Sequence, residues 1–147
     1  MTPFLWLQHP IPEAVDFYVR LFDDAEILDG PNIGEHMSSA TLRLAGQTVH
    51  LFSAGPFREL TEAFSLMVTC EDQQQIDRIW DRLADGGTPS RCGWITDRFG
   101  LTWQVVPEQL QDWLADPEHG AEVTRRMLEM IKIEAGPLLA ALQGRDH

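Results

Sequence analysis

The sequence predicts an α+β fold with two β-α-β-β-β modules followed by a C-terminal helical extension. Two observations predict it. Short apolar segments and one amphipathic helix recur in the same order in both halves, and Val15, Asp16 and Phe22 match Ile76, Asp77 and Leu83 at a constant offset of 61 residues. A length of 147 residues suits one domain or a tight pair of small modules. A duplicated unit of this kind can fold as two curved half-sheets about a shared cleft.

The first module is predicted over residues 1–53. An apolar, aromatic segment predicts a buried strand, and Pro12 can occupy the first turn of the helix that follows. Apolar residues at spacings of three and four predict that helix, and turn residues predict a loop after the next strand. The predicted elements are a strand at 3–8, a helix at 13–22, a strand at 25–28, a loop at 29–34, and strands at 41–44 and 48–52.

The second module is predicted over residues 63–107, after a linker at 53–62, so that both modules lie within 1–107. Asp72 can cap its helix, and Gly86 can end it. Residues 108–147 are predicted as the helical extension, with Asp116 and Pro117 starting one helix and Gly136-Pro137 breaking it before a short last one. The strands of the second module are predicted at 64–70, 92–95 and 101–106, with a turn at 97–100.

Composition excludes several classes of function. Lysine and arginine number 11 against 23 aspartates and glutamates, so the net charge of −12 repels phosphate backbones and anionic membranes. No apolar run approaches the roughly 20 residues that a membrane helix needs. We therefore expect a cytoplasmic protein that binds neither nucleic acid nor membrane. Its two cysteines, Cys70 and Cys92, are too few for a disulfide framework and are predicted to be reduced thiols.

Four segments carry a resemblance to a known family: PFLWLQHPIPEAVDFYVRLF, SAGP, FSLMVTCEDQQQIDRIWDRL and CGWITDRFGLTWQVVP. They resemble the PhnB-like family, whose members have also been labelled 3-demethylubiquinone-9 3-methyltransferases. It belongs to the vicinal-oxygen-chelate group, with the glyoxalases, extradiol dioxygenases and bleomycin or fosfomycin resistance proteins. The likeness covers residues 3–107. It implies paired β-α-β-β-β modules and a homodimer, in which modules can be exchanged between subunits.

The resemblance also implies where a metal would bind. Metal-dependent members of the group place ligands, usually His and Glu, on the first and last strand of each module. Those positions fall near Thr2 and Ser65 on the first strands and at His50 and Gln104 on the last ones. Only His50 is a good ligand, because hydroxyls are weak donors and an amide oxygen has little affinity for transition metals. We therefore predict no metal and no cofactor.

Strand alternation predicts the residues of a ligand-binding cleft. Thr102, Gln104 and Val106 share one face of their strand. The alternatives are a surface histidine at position 50 and, for Gln104, a buried amide that finds its partner within the protein. If these faces line the cleft, it is aromatic with a few polar groups, as small-molecule sites usually are. Its predicted lining is Phe4, Trp6, Gln8, His50, Ser65, Met67 and Gln104.

Three functions are compatible with these residues, and no catalytic residue is assigned. The first is a metal-independent protein that binds a small apolar or aromatic molecule. The second is a metal-dependent enzyme of the glyoxalase or dioxygenase type, whose metal or base comes from elsewhere, for instance His36 or His119 across a dimer. The third is the methyltransferase of the family label, although the sequence has no glycine-rich cofactor loop between a strand and a helix.

Overall fold

A computed structural model describes residues 1–145 and contains two four-stranded mixed sheets with five helices in that range. The first module comprises β1 (Phe4–Trp6), α1 (Ile11–Val19), β2 (Glu26–Ile33), β3 (Ser38–Leu44) and β4 (Gln47–Ser53). The second comprises β5 (Ser65–Cys70), α2 (Gln73–Ala84), β6 (Thr88–Pro89), β7 (Trp94–Thr96) and β8 (Thr102–Pro107). The extension comprises α3 (Leu110–Leu114), α4 (Gly120–Leu128) and α5 (Ala135–Leu142).

The two modules share one topology. The strand orders are β1-β4-β3-β2 and β5-β8-β7-β6, and in each sheet the first and last strands of the module pair in parallel at one edge. The other neighbouring strands pair antiparallel. The predicted α+β fold with two modules and a helical extension is therefore confirmed.

The chain divides into two compact units. The first contains Met1–Phe64 together with the short segment Phe99–Leu101, and the second contains Ser65–Arg98 and the chain from Thr102 onward. Within the first unit, the Phe99 ring lies 5.5 Å from that of Phe17 and 5.6 Å from that of Tyr18. The C-terminal helices thus belong to the second unit.

The two module helices form where their apolar periodicity predicts. Pro12 lies in the first turn of α1, which ends at Val19 rather than at residue 22 as predicted. The Asp72 carboxylate caps α2 as predicted, accepting a hydrogen bond from the Gln75 amide at 2.8 Å. Val15 and Ile76, which match across the repeat, are both buried. Val15 and Ile76 therefore hold equivalent places in the two helices, whereas Phe22 lies beyond the end of α1 and its match, Leu83, lies within α2.

Strand β2 differs from the prediction, because residues 29–33 continue a strand instead of forming a loop. All eight of its residues are exposed, and its pairing with β3 shifts register twice. Gly30 has a φ of +87°, and its Cα lies so near the β3 backbone that an added Cβ would stand 2.8 Å from the Ser39 carbonyl oxygen. An exposed edge strand needs no apolar alternation, so its turn-forming residues concealed it.

The extension also departs from the prediction in its boundaries. Asp116 caps a turn, accepting hydrogen bonds from the backbone amides of Glu118 and His119, and α4 begins only at Gly120. Gly136-Pro137 lies in the first turn of α5 and does not end a helix. Helix α3 was not predicted. The extension packs on the end of β8 through a buried apolar cluster of Val106, Leu110, Val123, Ile133, Leu138 and Ala141.

Backbone hydrogen bonds hold the segment between α4 and α5 against the second module. The amides of Cys92 and Gly93 donate to the carbonyls of Met130 and Ile131, both at 2.8 Å. Gly93 has a φ of +84°, and an added Cβ would meet Ile133 at 2.9 Å. A glycine is therefore required where the extension docks.

The cysteines are not disulfide-bonded, as predicted. Burial raises the pKa of the Cys70 thiol to about 11, so this thiol stays protonated at neutral pH. Within residues 1–145, none of the helices has both the length and the apolar content needed to cross a membrane.

Candidate functional site

The first module presents an aromatic surface on the face of its sheet that is turned away from the buried core. Leu5, Leu7 and Leu51 are buried, whereas Phe4 is 57% exposed. The Phe4 ring stacks on His50 with centroids 5.2 Å apart, and Phe52 lies 5.2 Å from Phe4. Because Phe4 and His50 are register partners in parallel strands, the sheet itself holds the two rings together. We call Phe4, Trp6, His50 and Phe52 the aromatic face.

His50 has a defined hydrogen bond within this face. Its Nδ1 lies 2.9 Å from Oγ1 of Thr41, the residue opposite it on β3. The contact orients the imidazole ring and engages one of its two nitrogens. His50 is half-buried on β4, which lies between β1 and β3, and its ring is held between Thr41 and the Phe4 ring.

Trp6 closes the aromatic face at its other end. Its indole ring meets Phe52 edge-on at 5.1 Å, and its Nε1 donates to the Gly55 carbonyl at 3.0 Å. The Arg58 guanidinium lies 5.7 Å from the Trp6 ring centroid, within the range of a cation–π contact. Gln8, which follows by the same alternation, is exposed beyond the end of β1. Alternation is therefore observed for Phe4 and Trp6, whereas Gln8 lies outside the strand.

The second module places Ser65, Met67 and Gln104 together. Gln104 pairs with Met67 on β5 and Trp94 on β7, and its Nε2 donates to the Ser65 hydroxyl at 3.0 Å. Of the alternatives for Gln104, the structure supports an amide with a partner inside the protein. Met67 is 54% exposed. This face is therefore more polar than the aromatic face of the first module.

The structure thus groups the predicted lining residues into two sets. Phe4, Trp6, Gln8 and His50 lie in the first unit, and Ser65, Met67 and Gln104 lie in the second. A single cleft lined by both sets stays a prediction. The prediction missed Phe52, Thr41 and Trp94. Alternation along β4 would have identified Phe52, because it follows His50 by two residues.

The side chains at the ligand positions of metal-dependent relatives do not fit a transition metal. Thr2 is exposed, His50 is bonded to Thr41, and Gln104 is bonded to Ser65. In the described chain, residues 1–145, no three His, Cys, Asp or Glu side chains come close enough to hold a metal ion. Carboxylate or further imidazole ligands would be needed to hold such an ion tightly.

The two histidines considered as distant ligands have other surroundings. The side chain of His36 is 86% exposed and lies 3.8 Å from a Glu35 carboxylate oxygen. His119 lies 3.7 Å from carboxylate oxygens of both Asp116 and Glu118 in the second unit. Both histidines therefore have carboxylates of their own segments as neighbours.

Comparison with known proteins assigns the family. A sequence model of the family described as 3-demethylubiquinone-9 3-methyltransferase matches residues 1–106. No curated protein is significantly similar to the chain. Among solved structures, a PhnB protein from Bacillus cereus is 30% identical, with a TM-score of 0.61 over 72% of this chain and 98% of that one.

Two further structures show the same fold at lower identity. Protein PA1353 from Pseudomonas aeruginosa is 21% identical, with a TM-score of 0.59 over 73% of this chain and 96% of that one. The fosfomycin resistance protein FosX from Listeria monocytogenes, solved with Mn(II) and 1S,2S-dihydroxypropylphosphonic acid, is 14% identical, with a TM-score of 0.56 over 71% and 87%. The chain therefore belongs to the PhnB-type family described as 3-demethylubiquinone-9 3-methyltransferase, within the vicinal-oxygen-chelate superfamily.

Proposed function

We propose that this protein binds a small, apolar or aromatic molecule on the open faces of its sheets without using a metal. The observation that carries the proposal is the aromatic face, in which Phe4 is 57% exposed yet held in a stack with His50. Exposed aromatic rings with a few fixed polar groups are typical of small-molecule sites. A planar ligand can extend this stack and remove the Phe4 ring from water.

Charge narrows the class of ligand. The net charge of −12 disfavours anions. Arg58 is engaged over the Trp6 ring, and Arg43, on the same face of β3 as Thr41, pairs with Glu26 at 3.3 Å. A polar group available for orientation at the aromatic face is the His50 imidazole, held by Thr41. We therefore propose a neutral ligand, sequestered rather than transformed.

The absence of a metal can be tested directly. Purified protein should contain no stoichiometric transition metal by elemental analysis, and micromolar Zn²⁺ or Mn²⁺ should leave its melting temperature unchanged. A shift of several degrees, lost in His50→Ala, would contradict the proposal and favour the metal-dependent enzyme.

Ligand binding can be tested with the neutral fluorescent probe N-phenyl-1-naphthylamine. We expect saturable binding that Phe4→Ala weakens about tenfold, or about 1.4 kcal/mol, because a ring that stacks on the probe is lost. Leu128→Ala is the matched control, since Leu128 is 54% exposed but lies on α4. Equal binding by the two variants would exclude the aromatic face as the site.

The methyltransferase label makes a different prediction, about the binding of S-adenosylmethionine. A methyltransferase should bind S-adenosylmethionine, and we expect calorimetry to show no binding at millimolar concentration. Measurable binding would favour the label over our proposal.

The homodimer implied by the family resemblance and a cytoplasmic location are parts of the same proposal. Sedimentation of the purified chain should give twice the mass of 16.7 kDa. A monomer at micromolar concentration would remove the dimer from the proposal and leave ligand binding to be judged by the probe.

A further inference from the structure

A second concave surface lies in the first module, apart from the stacked rings. It is a groove of about 310 Å³ at the start of α1, beside the connection from β2 to β3. Its volume is at the lower end of the range for small-molecule pockets. Its lining includes Gln8, Pro10, Ile33, Met37, Ser38 and Ser53.

Two serines form the polar part of the groove. Ser38 and Ser53 are register partners in the antiparallel strands β3 and β4. By strand alternation Ser53 lies on the same face of β4 as the buried Leu51. His50 and Phe52 point to the opposite face of β4. The two serines of the groove therefore lie on the opposite side of the sheet from the aromatic face.

The Ser53 hydroxyl has no hydrogen-bond partner among residues 1–145, although the residue is only 6% exposed. In the described part of the chain, no side-chain polar atom is both sealed from solvent and unpartnered. Ser53 is one of the residues that line the groove, so its hydroxyl lies beside that space. A hydroxyl in that position is free to donate a hydrogen bond to a bound molecule.

Ser38 supplies a second donor. Its Oγ accepts a hydrogen bond from the Ile11 amide at 3.3 Å, at the start of α1. That contact uses an acceptor site and leaves the hydroxyl proton without an acceptor in the described residues. Two hydroxyl protons on adjacent strands can therefore converge on one acceptor atom.

The walls and charge of the groove define the rest of the ligand. Ile33 and Met37 are 75% and 57% exposed, and with Pro10 they give the groove apolar sides. The lining contains no lysine or arginine within residues 1–145, and Glu35 stands beside its histidine, His36. An anion would lack a counter-charge there.

We propose that this groove is a second ligand site, which takes a small neutral molecule with a hydrogen-bond acceptor oxygen and an apolar body. The acceptor lies between Ser53 and Ser38, and the body lies against Pro10, Ile33 and Met37. This site is independent of the ligand bound at the aromatic face.

Titration of the ¹⁵N-labelled full chain with N-phenylacetamide tests the proposal. We expect saturable amide shifts at residues 37, 38 and 53, and no such shifts with benzoate, which has a similar body but is charged. Shifts confined to residues 4, 50 and 52 would place the probe at the aromatic face and overturn the groove. Benzoate binding as tightly as the amide, or no binding of either at millimolar concentration, would also overturn it.

Variants separate a ligand role for Ser53 from a structural one. Ser53→Ala should weaken N-phenylacetamide binding at least fivefold while leaving the melting temperature unchanged or higher, because no protein hydrogen bond is lost. Ser39→Ala is the control, since Ser39 is a neighbouring serine on β3 whose register partner is Phe52, so its side chain lies on the opposite face of the sheet from Ser53. A lower melting temperature for Ser53→Ala with unchanged binding would show that Ser53 supports the fold and that the proposal is wrong.

Discussion

The two modules fill the same position of the same topology with very different side chains. Val49 precedes His50 on β4, and Trp103 precedes Gln104 on β8; both are 1% exposed. Trp103 also donates its indole N–H to the buried Asp97 carboxylate at 2.9 Å. The topology therefore requires an apolar residue at this position but leaves its volume and its polar partner to each module.

The open faces differ in a second way. The first module exposes stacked rings, whereas the second combines a hydrogen-bonded amide at Gln104 with a covered end at Val106. Alternation specifies which residues occupy a face, and the residues themselves decide whether that face suits a ligand or a packed extension. Variants at equivalent positions can measure how far the modules have diverged.

The largest expected effect is in the buried layer. Trp103→Ala should lower the free energy of unfolding by about 3–5 kcal/mol, because it removes a large buried ring and its hydrogen bond. Val49→Ala should cost about 2 kcal/mol, since only two methyl groups are lost. Urea unfolding of both variants checks the difference. Equal losses would mean that Trp103 adds no more to its module than Val49 does.

A smaller effect is expected in the extension. The Arg126 side chain is 13% exposed and donates to the carbonyls of Pro137 and Arg145 at 2.9 and 2.7 Å. Arg126→Ala should destabilise α5 by about 1.5–3 kcal/mol, because charge-assisted hydrogen bonds are lost. The exchange rates of the α5 amide hydrogens in Arg126→Ala and the parent chain measure this destabilisation.

Arg125→Ala is the matched control, because Arg125 bonds the same Glu122 carboxylate but is 58% exposed. Arg125→Ala should destabilise α5 less than Arg126→Ala does, because solvent screens an exposed ion pair. If the α5 amides exchange at the same rate in the two variants, Arg126 does not join α4 to α5.

The smallest expected effect is a loss of stability at acidic pH, when Glu122 is protonated. Hydrogen bonds from Arg125 and Arg126 lower the pKa of Glu122 to about 2. Because this pKa lies below the unfolded value of about 4.3, the stabilisation is present above that pH and is lost as the pH falls towards 2. Glu122→Gln should therefore be less stable than the parent chain at pH 6, and the difference should shrink by pH 2.5.

Urea unfolding at the two pH values measures this difference, with Glu62→Gln in the linker as the control. A difference between Glu122→Gln and the parent that does not depend on pH would assign the effect to packing rather than charge.

The sequence predicts the repeated part of this fold well, because burial imposes a period on it. The α2 cap at Asp72 and the match of Val15 with Ile76 both follow from spacing along the sequence. An element that is not buried carries no apolar periodicity by which the sequence could reveal it. Strand β2 is exposed throughout, so only its turn-forming residues were visible, and they predicted a loop.

The candidate sites are predictable only in part. Alternation predicts that Phe4 and Trp6 share a face, and the strand register adds that His50 lies opposite Phe4. The Gln104 partner, Ser65, was in the predicted lining, but their hydrogen bond depends on a strand register that spacing does not specify. The groove at Ser53 depends on the approach of segments 10–12, 33–38 and 53–55, and no local pattern reports such an approach.

The glycine at position 93 restricts which sequences can keep the extension in place. Any side chain there would displace Ile133 and press on the Val105 carbonyl oxygen, 2.8 Å from an added Cβ. We expect a Gly93→Ala chain to form both sheets but not to dock the segment between α4 and α5. The docking of the C-terminal helices thus depends on the absence of a side chain at residue 93, which is distant in sequence from Ile133.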